Sequence, residues 1–241
     1  MTEALMQLWQ RCFGDGPEDI QAFFQTAYAP ERCMTLWEGE HLAAALYWLD
    51  CQWAGQKLAY LYAVGTDPDF RGLCLCRELM AKTHTRLEEL GYGGSVLYPA
   101  NAGLRRMYAG MGYRDFGGQD RFEAKSGPAV DLRRVTPAEY AALRRQFLPP
   151  DGVRQEGENL AYLSCFAQLY AGADFLLAAV REETNLTGIE LLGNPTAAPG
   201  ILGALGCSRG TFRVPGKAPF AMFRPLTAEA QAPGYFGLAF D

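Results

Sequence analysis

The sequence predicts a mixed α/β protein: a central mixed sheet flanked by helices in residues 1–125, and a second, smaller half in residues 126–241. Two observations support this fold class. Strand-like runs between residues 33 and 66 lie among segments whose apolar residues have helical spacing. The order of elements then partly recurs after the break at residues 126–128, although no residues are shared at a fixed period.

The first half begins with two short predicted helices, because apolar residues recur every three or four positions over residues 3–13 and 19–28. Apolar and alternating runs then predict an antiparallel meander of strands at residues 33–38, 41–53 and 57–66. Turns that contain glycine join these strands. The sequence therefore predicts a small sheet that directly precedes the most informative segment of the chain.

A strand-loop-helix unit follows the meander. Asp67-Pro68-Asp69 ends the strand, and an apolar stripe predicts a helix that stops at Gly91. A short strand at residues 95–99 comes next, and Asn101 can cap the helix after it. Residues 112–124 are predicted to close the half as a pair of strands.

The second half is predicted from the same signals. Thr136-Pro137 is typical of a helix start. The predicted helices are residues 138–148, 159–170 and 196–206, and the predicted strands are residues 129–135, 174–183, 187–193, 211–215 and 220–226.

The bulk composition narrows the class of partner. Hydrophobic residues make up 49% of the 241 residues and charged residues 20%, as in an ordinary globular protein. The net charge of -5, with 22 Lys and Arg scattered among 27 acids, argues against a nucleic-acid surface. No apolar run reaches the roughly 18 residues that a membrane helix needs, and the first residues do not resemble a signal peptide. A cytoplasmic protein with a small-molecule partner is expected.

The cysteines and histidines predict neither disulfides nor a metal site. The seven cysteines are an odd number without C-x-x-C pairs, which favours reduced thiols. The chain has only two histidines, His41 and His84, and they are far apart in sequence. The oligomeric state stays open.

The segment YLYAVGTDPDFRGLCLCRELM carries the clearest chemistry. A helix N-terminus offers unpaired backbone N–H groups and the positive end of the helix dipole, so a loop that wraps it can bind a diphosphate. Arg71 would add charge. The alternative from the residues alone is a plain β-turn-α connection with a solvated Arg71. A third interpretation is that the Cys74 thiol is itself functional, because a thiol beside a helix N-terminus can be reactive or redox-sensitive.

The runs DPDFRGLCLCRELM and PANAGLRRMYAGMGY, in this order and about one helix and one strand apart, resemble the GCN5-related N-acetyltransferase (GNAT) family. The resemblance implies a GNAT fold that binds acetyl-coenzyme A (acetyl-CoA) without a metal. Carried over to this chain, the diphosphate loop comprises Arg71, Gly72, Leu73, Cys74, Leu75 and Cys76. The resemblance further implies that Val64, Gly65 and Thr66 pair with the pantetheine arm, and that Asn101 contributes to cofactor binding. Tyr108 matches the family's general acid, which protonates the leaving thiolate.

A looser resemblance covers the whole chain. A GNAT half followed by a smaller GNAT-like half without a phosphate loop is similar to the enhanced intracellular survival (Eis-like) acetyltransferases. That resemblance implies that Asp241, through its terminal or side-chain carboxylate, reaches the active site. The alternative is that the apolar tail GYFGLAFD is an edge strand. Glu38, Glu40 and Asp50 are further candidates for the base, although acids beside a meander are commonly surface charges.

The function that these resemblances imply is acetyl transfer from acetyl-CoA to a primary amine of a small molecule or peptide, by direct attack. Cys74 stands where the family usually has glycine, so the alternative is a non-catalytic GNAT-like module that binds coenzyme A or an acyl-CoA weakly. Position 76 tolerates small residues in the family, so Cys76 departs less from the family's pattern than Cys74 does.

Overall fold

The computed structural model describes residues 1–240 and contains two compact units. Unit 1 comprises Met1–Arg114 with Phe223–Ala232, and unit 2 comprises Asp115–Met222 with the chain from Pro233 onward. The predicted mixed α/β class is confirmed, because helices alternate with strands that pair both in parallel and in antiparallel. The predicted domains, residues 1–125 and 126–241, stay a prediction, and the compact units divide at other positions.

Unit 1 contains the predicted meander. Strands β1, β2 and β3 pair in antiparallel, and β4 then pairs in parallel with β3. Its helices and strands are α1 Thr2–Phe13, α2 Pro17–Thr26, β1 Cys33–Glu38, β2 His41–Trp53, β3 Gln56–Thr66, α3 Leu75–Glu89, β4 Gly94–Leu97 and α4 Ala102–Ala109. These bounds confirm the helices and strands that the sequence predicted for residues 1–112.

Aromatic packing joins the first two helices to the sheet. The ring of Trp9 in α1 lies 5.4 Å from that of Tyr47 in β2, and the ring of Phe23 in α2 lies 5.1 Å from it. Buried aromatic rings remove a large apolar area from water. Helix α3 also packs on the sheet, and its stripe of Leu79, Met80 and Leu87 is buried, as its helical spacing predicts.

Unit 2 is built around a sheet in the order β11-β10-β9-β8-β6, with β5 paired to β11. A capping box at Thr136 and Glu139 starts the first helix after residue 114. The elements from residue 114 onward are β5 Arg114–Lys125, β6 Arg133–Arg134, α5 Pro137–Phe147, β7 Arg154–Gln155, α6 Glu158–Phe166, β8 Gln168–Ala171, β9 Phe175–Glu182, β10 Asn185–Gly193, α7 Ala198–Leu205 and β11 Arg209–Pro225.

Several predicted elements of this part are wrong in extent. The pair of strands predicted for residues 112–124 is one strand, Arg114–Lys125, because Gly117, at φ 70°, is accommodated within the strand without a chain reversal. The helix predicted for residues 159–170 ends at Phe166, and its last part is β8.

The two strands predicted for residues 211–215 and 220–226 are one strand, β11. The Asp120 carboxylate accepts hydrogen bonds from the backbone N–H groups of Lys217 at 3.0 Å and Ala218 at 3.2 Å. The segment between the two predicted strands is therefore held against β5 as part of β11. The strand predicted for residues 129–135 is reduced to Arg133–Arg134.

Two classes of feature are not found in residues 1–240. No helix there has the length and apolar character needed to span a bilayer. Within the same residues, no group of three or more His, Cys, Asp or Glu side chains is arranged to hold a metal ion.

Candidate active site

The loop between β3 and α3 presents a row of unpaired backbone donors. The backbone N–H groups of residues 72–76 have no hydrogen-bond acceptor among residues 1–240. Gly72 at φ 84° and Cys74 at φ 61° place two left-handed residues just before the helix. Consecutive N–H groups at a helix N-terminus form a concave site for an anion. The geometry of this loop therefore suits a phosphate or diphosphate group.

A cavity of about 290 Å³ lies at this loop. The structure brings together most of the predicted loop residues there: Thr66, Arg71, Gly72, Cys74, Leu75 and Cys76 line it. Leu73 does not, and it is 62% exposed. The sequence did not single out four further lining residues, which are Phe70, Arg77, Met107 and Met111. Met107 and Met111 follow a helical spacing around Tyr108, and this spacing was the available signal for them.

Ion pairs fix the start of the loop. The Arg11 guanidinium of α1 contacts the carboxylates of Asp67 at 2.8 Å and Asp69 at 2.7 Å. Burial opposes ionisation of Asp67, but the hydrogen bonds from Arg11 and from the Asp69 N–H, together with the charges of Arg11 and Arg71, outweigh it and lower the pKa of that carboxyl. Arg71 points its Nε toward the carbonyl oxygen of Thr66, at 3.3 Å, and remains exposed. Its charge is thus available at the rim of the cavity.

Strand β3 parts from β4 before it reaches the loop. The parallel pairing covers only Leu58–Tyr60 of β3, whereas the strand continues to Thr66. On its other edge, Gly65 and Thr66 still pair with Ala45 and Ala44 of β2. The part of β3 that contains the predicted pantetheine-binding residues therefore has an edge without a parallel partner in residues 1–240. Such an edge can pair with the amides of an extended ligand.

A bulge lies within this open part of β3. The pairing with β2 shifts register between Ala45 and Tyr47, and Ala63 adopts φ 47°. A bulge leaves an extra residue out of the ladder and redirects its N–H and C=O groups. The open edge thus offers backbone donors that β2 does not use.

Tyr108 lies on α4, the helix that carries Met107 of the cavity wall. It is 5% exposed, and burial raises the pKa of its phenol above the usual value. No group in residues 1–240 forms a hydrogen bond with its hydroxyl. Its ring packs at 5.9 Å against that of Tyr113. The phenol hydroxyl of Tyr108 is therefore available for a hydrogen bond to a ligand.

Tyr113 itself belongs to a buried network that the sequence did not predict. Its hydroxyl lies 2.7 Å from Ser95 Oγ and 2.9 Å from His84 Nε2. These contacts hold the ring on which Tyr108 packs. Asn101, predicted to bind the cofactor, caps α4 by accepting a hydrogen bond from the Leu104 N–H at 3.0 Å.

The candidate bases of the first half lie outside this arrangement. Asp50 accepts a hydrogen bond from the Tyr92 hydroxyl and lies 3.4 Å from Lys57 Nζ. It pairs with Ala59, six residues along β3 from Gly65, which corresponds to about 20 Å at the usual rise of a strand. Glu38 and Glu40 are exposed.

Asp241 lies outside the described residues, but the tail before it is held in place within unit 2. The side-chain amide of Gln119 donates to the carbonyls of Phe236 at 3.1 Å and Gly237 at 2.9 Å. The Gln155 side chain bonds both the N–H and the C=O of Leu238. The tail is therefore an ordered segment fixed by side chains, and not the edge strand of the alternative prediction.

Comparison with known proteins identifies the fold. Residues 1–115 match a family model described as an acetyltransferase (GNAT) domain. The chain has a GNAT fold. A GCN5-related N-acetyltransferase structure from Anabaena variabilis matches with a TM-score of 0.71 and 17% identity, covering 93% of this chain and 70% of that one. No curated protein matches the sequence.

Two further GNAT-fold structures are similar over nearly the whole chain. A GCN5-related N-acetyltransferase from Kribbella flavida has a TM-score of 0.69 and 18% identity, with 92% of this chain and 68% of that one covered. Eis1 from Mycobacterium abscessus has a TM-score of 0.68 and 12% identity, with coverages of 94% and 71%. The predicted resemblance to GNAT proteins and the looser one to Eis-like proteins are confirmed at the level of the fold.

Proposed function

We propose that the protein is an N-acetyltransferase that transfers the acetyl group of acetyl-CoA to a primary amine of a small molecule or peptide by direct attack. One observation carries the proposal: within unit 1, a row of free N–H groups at α3, the open edge of β3 and the unpartnered phenol of Tyr108 occur around a single loop-and-strand unit. These three features match the diphosphate, the pantetheine amides and the thioester of acetyl-CoA. The matching GNAT domain model supports the same activity.

Residues 72–76 and Arg71 would hold the diphosphate of acetyl-CoA, and residues 64–66 would pair with its pantetheine arm. Acetyl-CoA supplies the thioester that the amine attacks. A backbone N–H at the bulge would stabilise the negative charge that develops on the carbonyl oxygen, because preorganised donors act most strongly where charge develops. Tyr108 would give its proton to the departing sulfur. Its raised pKa suits this role, since the proton stays bound until a thiolate forms beside it.

We further propose that Asp241 removes the proton from the attacking amine. The support is the ordered tail, whose backbone is held by Gln119 and Gln155 up to Leu238. Deleting the last two residues should lower turnover strongly while acetyl-CoA still binds, and D241N should separate the side chain from the terminal carboxylate. Unchanged turnover after the deletion would remove Asp241 from the mechanism. The free state of all seven cysteines supports a reducing compartment, which we propose to be the cytoplasm.

The second candidate function is a non-catalytic module that binds coenzyme A weakly. Cys74 favours it, because a non-glycine residue at φ 61° is strained and carries a side chain into the phosphate loop. Calorimetric titration with acetyl-CoA, followed by thiol release in the presence of a panel of primary amines, tests both functions. Binding with thiol release supports the enzyme, binding without release supports the module, and no binding at millimolar ligand contradicts both.

A further inference from the structure

Two carboxylates lie directly before the loop whose free N–H groups suit a phosphate. Asp67 and Asp69 immediately precede Arg71 in the sequence DPDFR. The backbone N–H groups of residues 72–76, which follow, have no hydrogen-bond acceptor in residues 1–240. Negative charges beside such donors repel the phosphates that the donors would bind. A loop that binds a diphosphate is therefore expected to have a cation close by that offsets these two carboxylates.

Arg11, in the last turn of α1, supplies this positive charge. Its Nε lies 2.8 Å from one carboxylate oxygen of Asp67, and its Nη2 donates to the other at 2.9 Å. The same Nη2 donates to the Asp69 carboxylate at 2.7 Å. The contact with Asp67 is bidentate, which is the strong form of an arginine–carboxylate interaction. One guanidinium thus binds both carboxylates at once.

Asp67 also shapes the turn that leads into the loop. Its side chain accepts a hydrogen bond from the Asp69 N–H at 3.0 Å, and its carbonyl accepts one from the Phe70 N–H at 2.9 Å. Its own N–H donates to the carbonyl of Ala43 in β2, at 2.9 Å. The ion pairs therefore connect Arg11 to a turn that is already fixed by backbone hydrogen bonds, so the main effect of Arg11 is on the charge of this turn.

Arg71 lies within the electrostatic reach of the same carboxylate. Its charge is one of the causes that lower the pKa of Asp67, although burial raises that pKa and the contacts with Arg11 and the Asp69 N–H lower it more strongly. Arg71 nevertheless forms no ion pair with a carboxylate of residues 1–240, and its Nε points to the Thr66 carbonyl at 3.3 Å. Without Arg11, the Asp67 carboxylate would attract Arg71 in competition with an anionic ligand.

From these contacts we infer that Arg11 is a positioning residue for the binding of acetyl-CoA. By pairing with both carboxylates, it leaves Arg71 and the N–H groups of residues 72–76 available to the diphosphate. This inference rests on the proposed function, in which that loop holds the diphosphate of acetyl-CoA. Arg11 acts in this role through Asp67 and Asp69 and not by touching the reacting atoms. Its loss should therefore weaken cofactor binding and leave the chemical step unchanged.

Arg11→Gln tests the role of this charge. Calorimetric titration with acetyl-CoA should give a Kd about tenfold higher than that of the native protein, and KM for acetyl-CoA should rise equally. We expect kcat to change less than about twofold, because the open edge of β3 and Tyr108 are untouched. The loss of affinity should shrink at about 0.5 M salt, since exposed charges are screened. The matched control is Arg86→Gln, which removes another exposed ion pair of unit 1, with Glu89 at 3.1 Å, and should bind like the native protein.

The triple variant Arg11→Gln/Asp67→Asn/Asp69→Asn separates the charge from the structure of the turn. The amide that replaces the Asp67 carboxylate keeps an oxygen that can accept the hydrogen bond from the N–H of residue 69. This variant lacks both ion pairs but has no uncompensated carboxylate, so its Kd should return to within about threefold of the native value. If the ion pairs served only to hold the turn, the triple variant would bind as weakly as Arg11→Gln. Thermal unfolding of each variant should differ from the native value by at most about 4 °C.

The results distinguish this inference from the proposed function. Native affinity in Arg11→Gln, or a loss of affinity that the triple variant does not restore, would overturn the inference and leave the proposed function intact. Weaker binding in Arg11→Gln that is restored in the triple variant would support it. No binding of acetyl-CoA by the native protein would instead contradict the proposed function, and the inference would fall with it.

Discussion

The loop at the start of α3 and the network around Glu190 in unit 2 use polar groups in opposite ways. In the loop, the N–H groups of residues 72–76 have no partner within residues 1–240 and lie at an open cavity. Around Glu190, Arg144 donates two hydrogen bonds of 2.8 Å, and Tyr140 and Tyr235 each donate one of 3.0 Å. All four residues of this network are buried.

The unpaired donors of the loop are suited to binding a ligand, whereas the fully paired groups around Glu190 are suited to stabilising the fold. Unpaired donors at an accessible surface remain hydrated and can exchange water for a ligand, so they carry function at little cost to folding. A buried carboxylate is stable only when its partners are complete. Tyr235 belongs to the tail segment, so the Glu190 network also anchors the chain that leads to Asp241.

The largest expected effect comes from breaking the buried network. Glu190→Ala would leave the Arg144 guanidinium uncompensated at 2% exposure, which should lower the free energy of unfolding by about 3–5 kcal/mol. Urea denaturation measures this. The matched control is Glu156→Ala, which removes the partner of the exposed Arg145 and should cost at most about 1 kcal/mol. Similar losses in both variants would mean that the Glu190 network is not the stabilising region described above.

Tyr108→Phe tests whether an unpartnered polar group of the candidate active site contributes to activity and not to stability. The Tyr108 hydroxyl has no protein partner in residues 1–240, so its removal should leave the free energy of unfolding nearly unchanged. Loss of a general acid should lower kcat about 10²-fold or more, with acetyl-CoA affinity retained. Steady-state kinetics and calorimetry measure the two quantities. If kcat were retained, Tyr108 would be only a packing residue of α4.

His84 is intermediate between the unpaired loop donors and the fully paired Glu190 network, because it is buried and only one of its two ring nitrogens has a hydrogen-bond partner. Its Nε2 contacts Tyr113 at 2.9 Å, whereas its buried Nδ1 has no partner in residues 1–240. Burial, assisted by the nearby Arg224 charge, lowers the pKa of His84 to about 3. Below the unfolded-state pKa of about 6.5, the unfolded chain therefore binds a proton that the folded protein does not.

Stability should consequently fall as the pH falls from about 6.5 toward 3, with a loss near 2 kcal/mol at pH 5 from this residue alone. Denaturation at pH 7 and pH 5 measures the loss, and His84→Gln should abolish most of it. His41→Gln, which removes an exposed imidazole, is the matched control. An equal dependence in the native protein and His84→Gln would exclude this histidine as the cause.

The sequence could predict the parts of the fold and site that depend on local signals. The meander, the helix start after Arg71 and the cap at Asn101 all follow from residues within a few positions of each other. The parting of β3 from β4 depends on packing between distant segments, which no local pattern encodes. Gly117 shows the same limit within one strand, because its left-handed φ fits both a turn and a bulge.

The smallest expected effect concerns the residue that makes the loop unusual. Cys74 occupies the left-handed region at φ 61° and ψ 11°, where a side chain costs about 1–2 kcal/mol relative to glycine. Cys74→Gly relieves this strain but adds freedom to the unfolded chain, so the net gain in stability should be below about 1 kcal/mol.

The same change should tighten acetyl-CoA binding, because it removes an exposed side chain from a cavity lined by free N–H groups. Calorimetric titration of the native protein, Cys74→Gly and Cys165→Gly separates the loop from a general effect of losing an exposed thiol, since Cys165 is exposed on α6 of unit 2. Tighter binding in Cys74→Gly alone would show that the loop is a working phosphate site weakened by one side chain. Equal affinities in all three proteins would show that the backbone already adopts the binding conformation and that the cysteine does not crowd the phosphate.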